Sequence, residues 1–300
     1  MSARAWAAFA AVSVLWGIPF LFIKIAVDDG VGPLLLAWVR VVLGAALLLG
    51  LAARLGVLGS VRGRWRWLAA FALAEIALPF PLIAAGEQHV SSSLAAIIVA
   101  AAPLFVAVLA LRFDHSERIT GSRLIGLAIG LAGVVALVGI DLAGRADELI
   151  GALAILLAAL FYAIGPMILK LHLSDLDPRA SMGTALALAA IMLTPAAALA
   201  EPVAIPSVAA AVSLLVLGVL CTAAALAIYA SLVAEVGPGR ALVITYVSPV
   251  VAVALGVAVL DESLGPGAVI GLLLILAGSW LATGGRTPSE AEAEAVGTHP

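Results

Sequence analysis

Charge is what this sequence has least of. Asp, Glu, Lys and Arg together make up 11% of the 300 residues, whereas hydrophobic residues make up 64%. A water-soluble domain needs about a quarter of its residues charged to cover its surface. The composition therefore excludes an ordinary soluble domain and predicts a chain that lies largely within a lipid bilayer.

Cysteine, histidine and clustered basic residues are scarce as well. The one cysteine, Cys221, lies in an apolar stretch, so we expect a buried thiol and no disulfide. The net charge is −3 and no basic arm is present, which argues against a nucleic-acid partner. The four histidines are scattered without carboxylates at ligand spacing. We therefore expect no metal site, no cofactor and no catalytic residues.

Long apolar segments are present instead. A helix that crosses a bilayer needs about 20 apolar residues. Ten segments satisfy this requirement, and we number them spans 1 to 10: 5–27, 33–53, 67–87, 91–111, 121–140, 149–169, 180–200, 207–233, 241–259 and 266–285. Lys and Arg are enriched in cytoplasmic loops. With a cytoplasmic N-terminus, twelve of these residues lie on the cytoplasmic side and only Arg145 lies outside, so we expect both termini in the cytoplasm.

One sequence pattern occurs twice. Pro103 precedes Glu117 by fourteen residues and Pro249 precedes Glu262 by thirteen, and the two segments then stay in register. We therefore expect a first repeat of five spans, a second repeat of five spans and a disordered polar tail, at 1–142, 147–285 and 286–300. Because five is odd, the second repeat is inverted. Inverted repeats are typical of secondary transporters, which hold the substrate between the halves.

Four stretches carry a resemblance to a known family: LWGIPFLFIK at 15–24, PLLLAWVR at 33–40, SSSLAAIIVAAAPLF at 91–105 and SPVVAVALGVAVLDES at 248–263. With the ten spans, they resemble the drug/metabolite transporter superfamily, and specifically its ten-helix members built from two EamA domains. The resemblance covers nearly all of 5–285. It implies an all-α integral membrane fold of two inverted five-helix repeats, a central cavity between them and peripheral spans 5 and 10. It also implies a facilitator, or a carrier coupled to protons or another gradient, that usually exports amino acids or other small metabolites.

Two charged residues inside spans are the first candidates for substrate binding or coupling. Glu75 lies about 12 Å below the cytoplasmic boundary, where a carboxylate is costly unless it faces a cavity or a partner. The alternative is a structural glutamate that is protonated or paired. Arg40 lies about 10 Å from the outer boundary. It could bind a substrate carboxylate, pair with Glu75 or extend outward as a structural group. Span 7 carries Ala185 where Arg40 would recur, so any role of Arg40 is asymmetric.

Lys24 and several aromatic residues are further candidates for the substrate site. Lys24 lies near the outer end of span 1, where a pair with Asp28 explains it equally well. Aromatic rings can line a cavity for apolar or cationic ligands, although at helical spacing they more often pack against neighbours or lipid. The aromatic candidates are Trp16, Tyr162 and Tyr246, and Tyr229 could line the same cavity.

Four prolines inside spans predict kinks or hinges: Pro79, Pro81, Pro103 and Pro249. The sequence leaves open whether they bend the helices statically or allow movement. The two repeated glutamates, Glu117 and Glu262, precede spans 5 and 10, and we interpret them as caps of these helices. Glycines recur in the same two spans and predict close helix packing.

The function that we expect is a substrate-specific exporter working by alternating access in a bacterial plasma (inner) membrane. Its partners are a small-molecule substrate, the lipid bilayer and, as the candidate coupling ion, protons; a monomer or a homodimer is expected. The alternative is a carrier for broad efflux of drugs and cations, with Glu75 exchanging a proton for the drug. More distant alternatives are a channel or structural subunit and a membrane enzyme acting on lipid-type substrates.

Overall fold

Every regular element in the described part of the chain is helical. The computed structural model describes residues 1–113, 121–141, 144–200, 206–236 and 243–282. Spans 1 to 3 are Ala3–Asp28, Pro33–Arg54 and Trp65–Glu87, and span 4 consists of Ser92–Val99 and Ala102–Phe113. Spans 5 to 8 are Gly121–Asp141, Ala146–Leu173, Pro178–Leu199 and Val208–Val236, and spans 9 and 10 are Ile244–Leu260 and Pro266–Ala282.

The predicted all-α membrane fold is confirmed. Within the described residues, eight helices are long and apolar enough to cross a membrane, and spans 9 and 10 are shorter apolar helices. All ten lie where hydropathy placed them, because the loss of charge over about 20 residues is a strong signal. The predicted tail at 286–300 lies outside the described residues.

Three spans contain a wide π-helical turn: Leu73–Ala77 in span 3, Leu169–Leu173 in span 6 and Val216–Ala224 in span 8. Such turns accommodate an interrupted hydrogen-bond ladder. In span 3 the next helical segment, Pro79–Glu87, begins directly at a proline and has Pro81 in its first turn. The interruption of span 3 therefore falls where its prolines predicted one.

The repeated prolines of spans 4 and 9 differ in their surroundings. Pro103 lies in the first turn of Ala102–Phe113, after a break that follows Val99. Pro249 lies inside the continuous helix Ile244–Leu260. One proline thus follows an interruption, while the other is accommodated within a helix. A hinge role for either proline stays a prediction.

The spans pack in pairs that join the first five to the last five. Span 5 packs on span 10, span 2 on span 7 and span 4 on span 9. The contact between spans 1 and 9 has its counterpart in the contact between spans 6 and 4. A two-fold relation between the halves requires this pattern. The division into inverted repeats at 1–142 and 147–285 itself stays a prediction.

Spans 5 and 10 pack closely through glycines. A Cβ atom added at Gly126, Gly133 or Gly278 would overlap backbone atoms of the opposite helix. Small residues at such contacts let helix backbones approach within a membrane, and the predicted role of these glycines is confirmed. The faces turned away from the contact carry exposed large apolar side chains such as Ile125 and Leu273.

The expectation that Glu262 caps span 10 is wrong. Its carboxylate accepts hydrogen bonds from the backbone N–H of Ser92 at 2.7 Å and of Ser93 at 2.9 Å, so it caps span 4. The hydroxyl of Ser93 donates a further bond at 2.5 Å. Span 10 is capped instead by Asp141, which accepts from the N–H groups of Gly267 and Ala268.

The reason for this exchange of caps is the turn that precedes span 10. Span 9 ends at Asp261, whose φ of 53° lies in the left-handed region. The chain therefore reverses before Glu262, whose own N–H bonds back to the carbonyl of Gly256 in span 9. The other repeated glutamate, Glu117, lies outside the described residues.

Candidate substrate and coupling site

Glu75 faces the interior of the helix bundle. Its Oε2 atom is shielded from solvent and has no hydrogen-bond partner among the described residues. It lies against Gly165 in span 6, where an added Cβ atom would overlap the carboxyl group. Because a carboxyl group without partners is costly in a membrane, this position points to a ligand or a proton.

The local sequence explains why span 3 opens at Glu75. Pro79 has no N–H to donate to the carbonyl of Glu75, four residues earlier, and its ring would clash with that carbonyl in a regular helix. The π turn Leu73–Ala77 lies directly before this point. The wider turn accommodates the proline and presents the side chain of Glu75 toward span 6.

Arg40 is buried between spans 2, 3 and 8, with 8% of its surface exposed. Its Nε donates to Thr222 Oγ1 at 2.9 Å, and its guanidinium carbon lies 4.0 Å from the centroid of the Phe80 ring. Thr222 Oγ1 in turn donates to the carbonyl of Leu217 at 2.8 Å. The guanidinium is therefore held at its Nε atom by Thr222 and on one of its planar faces by the Phe80 ring.

The two terminal nitrogens of Arg40 have no hydrogen-bond partner within the described part of the chain. Arg40 also forms no ion pair with Glu75, although both residues are described. The weighed pairing of the two is therefore wrong. An outward extension of Arg40 does not fit its burial either. What the guanidinium offers is a pair of parallel N–H donors.

Aromatic residues lie around these charges. The rings of Trp16 in span 1 and Tyr229 in span 8 pack with centroids 4.8 Å apart and planes inclined at 44°. The hydroxyl groups of Tyr229 and Tyr162 both lie close enough to Glu75 to interact with its charge. The hydroxyl group of Tyr162 also lies close enough to interact with the charge of Arg40. The structure thus gathers four of the predicted candidates, together with Tyr229, between spans 1, 2, 3, 6 and 8.

Lys24 and Tyr246 lie elsewhere. Lys24 is about 12 Å along span 1 from Trp16, and its ammonium pairs with Asp28 at 2.9 Å. It also donates to the main-chain carbonyl of Glu87 at 2.9 Å. The hydroxyl of Tyr246 donates a long bond, 3.4 Å, to the carbonyl of Ser279 and so faces span 10. Neither residue belongs to the Arg40–Glu75 group.

Sequence reasoning missed Glu87, which the structure buries completely. Its relative exposure is 0%, and neither carboxyl oxygen has a hydrogen-bond partner among the described residues. It ends span 3 beside the exposed Gln88 and His89, so its sequence context resembles that of a loop residue. It also missed Thr222 and Phe80, because a single threonine or phenylalanine in an apolar span does not indicate contact with Arg40.

A bundle of apolar helices with charged side chains buried between them is typical of a multi-pass membrane protein. The model of the EamA-like transporter family matches the chain twice, at residues 4–139 and 149–284. The chain therefore belongs to the EamA-like transporter family. Small-molecule substrates and a membrane environment follow from this membership.

Several curated proteins are similar over most of their length. The "Uncharacterized inner membrane transporter YedA" of Escherichia coli (strain K12) is 30% identical over 85% of this chain and 82% of its own. The "Uncharacterized transporter YoaV" of Bacillus subtilis (strain 168) is 26% identical over 91% and 94%. The "Probable amino-acid metabolite efflux pump" of Escherichia coli (strain K12) is 26% identical over 90% and 91%.

A solved crystal structure has the same fold. It superposes with a TM-score of 0.67 at 21% identity, over 94% of this chain and 98% of the other. At this identity the likeness concerns the fold alone.

Proposed function

We propose that this transporter exports amino acids or related small metabolites by alternating access, and that Arg40 and Glu75 bind the substrate. The observation that carries the proposal is the state of Arg40, a buried cation whose terminal nitrogens are unpaired among the described residues. A guanidinium inside a membrane is costly without an anion. A carboxylate fits because its two oxygens match two parallel N–H donors.

Glu75 supplies the opposite charge from span 3, which also carries the ring on which Arg40 stacks. Arg40 stacks on Phe80, and Glu75 precedes Phe80 by five residues, or about 7.5 Å along the span. A small zwitterion that lies between the two side chains can place its carboxylate on Arg40 and its ammonium on Glu75. Tyr162 lies about one helical turn before Gly165, against which the Glu75 carboxyl group lies, and we place it in the same site.

Contacts at both ends of the bundle support alternating access. At one end, Arg64 in the loop before span 3 pairs with Asp175 at 2.8 Å, and Trp67 stacks on His172 with centroids 3.4 Å apart. At the other end, Asp29 after span 1 accepts from the N–H of Ser207 at 2.9 Å, and Glu262 caps span 4. Each set joins the first five spans to the last five. A carrier that opens at one end breaks that set while the other holds.

The direction of transport and the location are part of the proposal. Twelve Lys and Arg residues against one support cytoplasmic termini, and the relative YedA is named an inner membrane transporter. Another relative is named a probable amino-acid metabolite efflux pump. These names support export of amino-acid metabolites across a bacterial inner membrane.

A second candidate function is efflux of lipophilic cations. The observation that favours it is the aromatic pair Trp16–Tyr229, whose Tyr229 lies within electrostatic range of the Glu75 carboxyl group. Aromatic faces and one carboxylate are suited to a bulky cation. In that case Arg40 has no role in binding, since it would repel the substrate.

Counterflow exchange in proteoliposomes distinguishes the two functions. Three kinds of compound are tested: free amino acids, their carboxyl amides and a lipophilic cation. For each compound, vesicles loaded with the unlabelled form are tested for accelerated uptake of the labelled form. We expect exchange of free amino acids and none of the amides. A carboxylate site at Arg40 would be contradicted by exchange of the amides, or by exchange of the cation without exchange of free amino acids.

A further inference from the structure

The end of the molecule that carries Asp28 contains a second buried carboxyl group, which the proposed substrate site does not use. Glu87 lies twelve residues after Glu75, or about 18 Å along span 3. Its two carboxyl oxygens and the hydroxyl of Ser92 are shielded from solvent and without hydrogen-bond partners in the described residues. Both residues have a relative exposure of 0%.

Four charged groups face Glu87 from the elements packed around it: Lys24 and Asp28 in span 1, Arg40 in span 2 and Glu262 before span 10. None of them provides a hydrogen-bond donor to its carboxyl group. The ammonium of Lys24 is bound to Asp28 and to the main-chain carbonyl of Glu87. Arg40 donates to Thr222.

The neighbouring carboxylate of Glu262 is in the opposite state. Three donors, two from the backbone and one from the hydroxyl of Ser93, fix it at the start of span 4. A carboxylate with three donors is stable as an anion. An anion at Glu87, buried and without donors, would meet a large desolvation cost and repulsion from Glu262, which the charges of Lys24 and Arg40 offset only in part. Glu87 therefore needs a bound cation of its own.

We propose that Glu87 is a proton-binding site, and that its proton exchanges with water at the Asp28 end of the transporter during the transport cycle. A proton fits better than a metal ion because the described residues contain no group of three or more His, Cys, Asp or Glu side chains that could hold a metal. The proposal deepens the proposed carrier function and rests on it, since exchange requires this end to open and close.

Lys24 provides the route by which the proton leaves. Its Nζ already contacts the main chain of Glu87 and bridges to Asp28, whose side chain is 57% exposed. When this end opens, a rotation of Lys24 from the carbonyl to the carboxyl group of the same residue stabilises the Glu87 anion. The O–H bond of Glu87 then breaks, and its proton passes to water beside Asp28.

Carbodiimide labelling tests the proton on the wild-type protein. Dicyclohexylcarbodiimide reacts with protonated carboxyl groups in apolar surroundings, and mass spectrometry of the purified transporter in lipid locates the product. We expect a product on Glu87 that decreases as the pH rises, by about tenfold per pH unit above the midpoint. No product on Glu87 at any pH overturns the proposal. Labelling that Na⁺ abolishes at constant pH overturns it too, in favour of a metal cation.

Infrared difference spectra between acidic and alkaline buffer provide a second measurement that needs no substrate. Glu87→Gln is expected to remove one protonated-carboxyl band, whereas Glu148→Gln, at a half-buried carboxylate paired with Arg145, leaves that band in place. An unchanged spectrum in Glu87→Gln contradicts the proposal. Counterflow of the identified substrate is expected to survive in Glu87→Gln while accumulation driven by a pH gradient is lost. Loss of counterflow in the wild type would instead contradict the carrier function itself.

Discussion

The carboxyl group of Glu75 occupies the space that a side chain at Gly165 would need. Span 6 can therefore pass beside the π turn of span 3 only with a glycine at this position. The contact sets the position of Glu75 relative to Tyr162, one turn earlier in span 6. A single methyl group at Gly165 is enough to displace the proposed acidic group of the site.

Gly165→Ala is expected to weaken substrate binding by about 5-fold to 150-fold, since an added methyl group in a packed site costs about 1–3 kcal/mol. The matched control is Gly50→Ala in span 2, where an added Cβ atom meets open space. Substrate binding to both purified variants, measured by isothermal titration, checks the expectation. Equal affinities of the two variants would show that the position of Glu75 is unimportant.

Glu262, which follows span 9, caps span 4 in the first half of the chain. Substitution of Glu262 is therefore expected to destabilise the contact between the two halves. Glu262→Ala removes an acceptor of three hydrogen bonds, and loss of a helix cap typically costs about 0.5–2 kcal/mol. Asp147→Ala, in the exposed first turn of span 6, is the control. We expect a lower thermal midpoint for Glu262→Ala in detergent than for the control, and no difference if the cap is unimportant.

The start of span 7 predicts a dependence of stability on pH. The hydrogen bond from the side chain of Arg179 holds the pKa of Asp177 below its ordinary value. A lowered pKa in the folded state stabilises the protein above the unfolded pKa, near 4, and this stabilisation is lost as the pH falls through the folded value. Asp177→Asn keeps a good capping residue but removes the charge. Its stability deficit relative to wild type is therefore expected at neutral pH and should vanish in acid. A deficit that persists in acid would exclude the charge as its cause.

Hydropathy and charge predicted the ten spans and two of the buried charges of the site. Arg40 and Glu75 were recognisable because a charged side chain inside an apolar segment has a high desolvation cost unless it faces a cavity or a partner. Glu87 was not, since burial of a residue at a helix end depends on how the neighbouring helices close over it. The same holds for Glu262, which caps a helix about 170 residues earlier in the chain. Such partners are fixed by tertiary packing and leave no trace in local spacing.

Two opposite charges in adjacent spans make an ion pair between Arg40 and Glu75 one of the arrangements that the sequence allows. The structure holds Arg40 on Thr222 and Phe80 instead. Neither contact was predictable from composition, because a threonine and a phenylalanine in apolar helices most often serve packing. The result is a guanidinium whose terminal nitrogens have no hydrogen-bond partner among the described residues.

The affinity of Arg40 variants for the transported amino acid tests the central claim most directly. Hydrogen bonds to charged groups contribute about 1.5–3 kcal/mol, so Arg40→Gln should weaken binding by about 10-fold to 150-fold. Arg40→Lys, which keeps the charge but loses the paired donors, should also bind more weakly than wild type. Arg145→Gln, at an exposed arginine paired with Glu148, should bind like wild type. Wild-type affinity in Arg40→Gln, in protein that is correctly inserted and folded, would contradict the assignment of Arg40 as the carboxylate-binding residue.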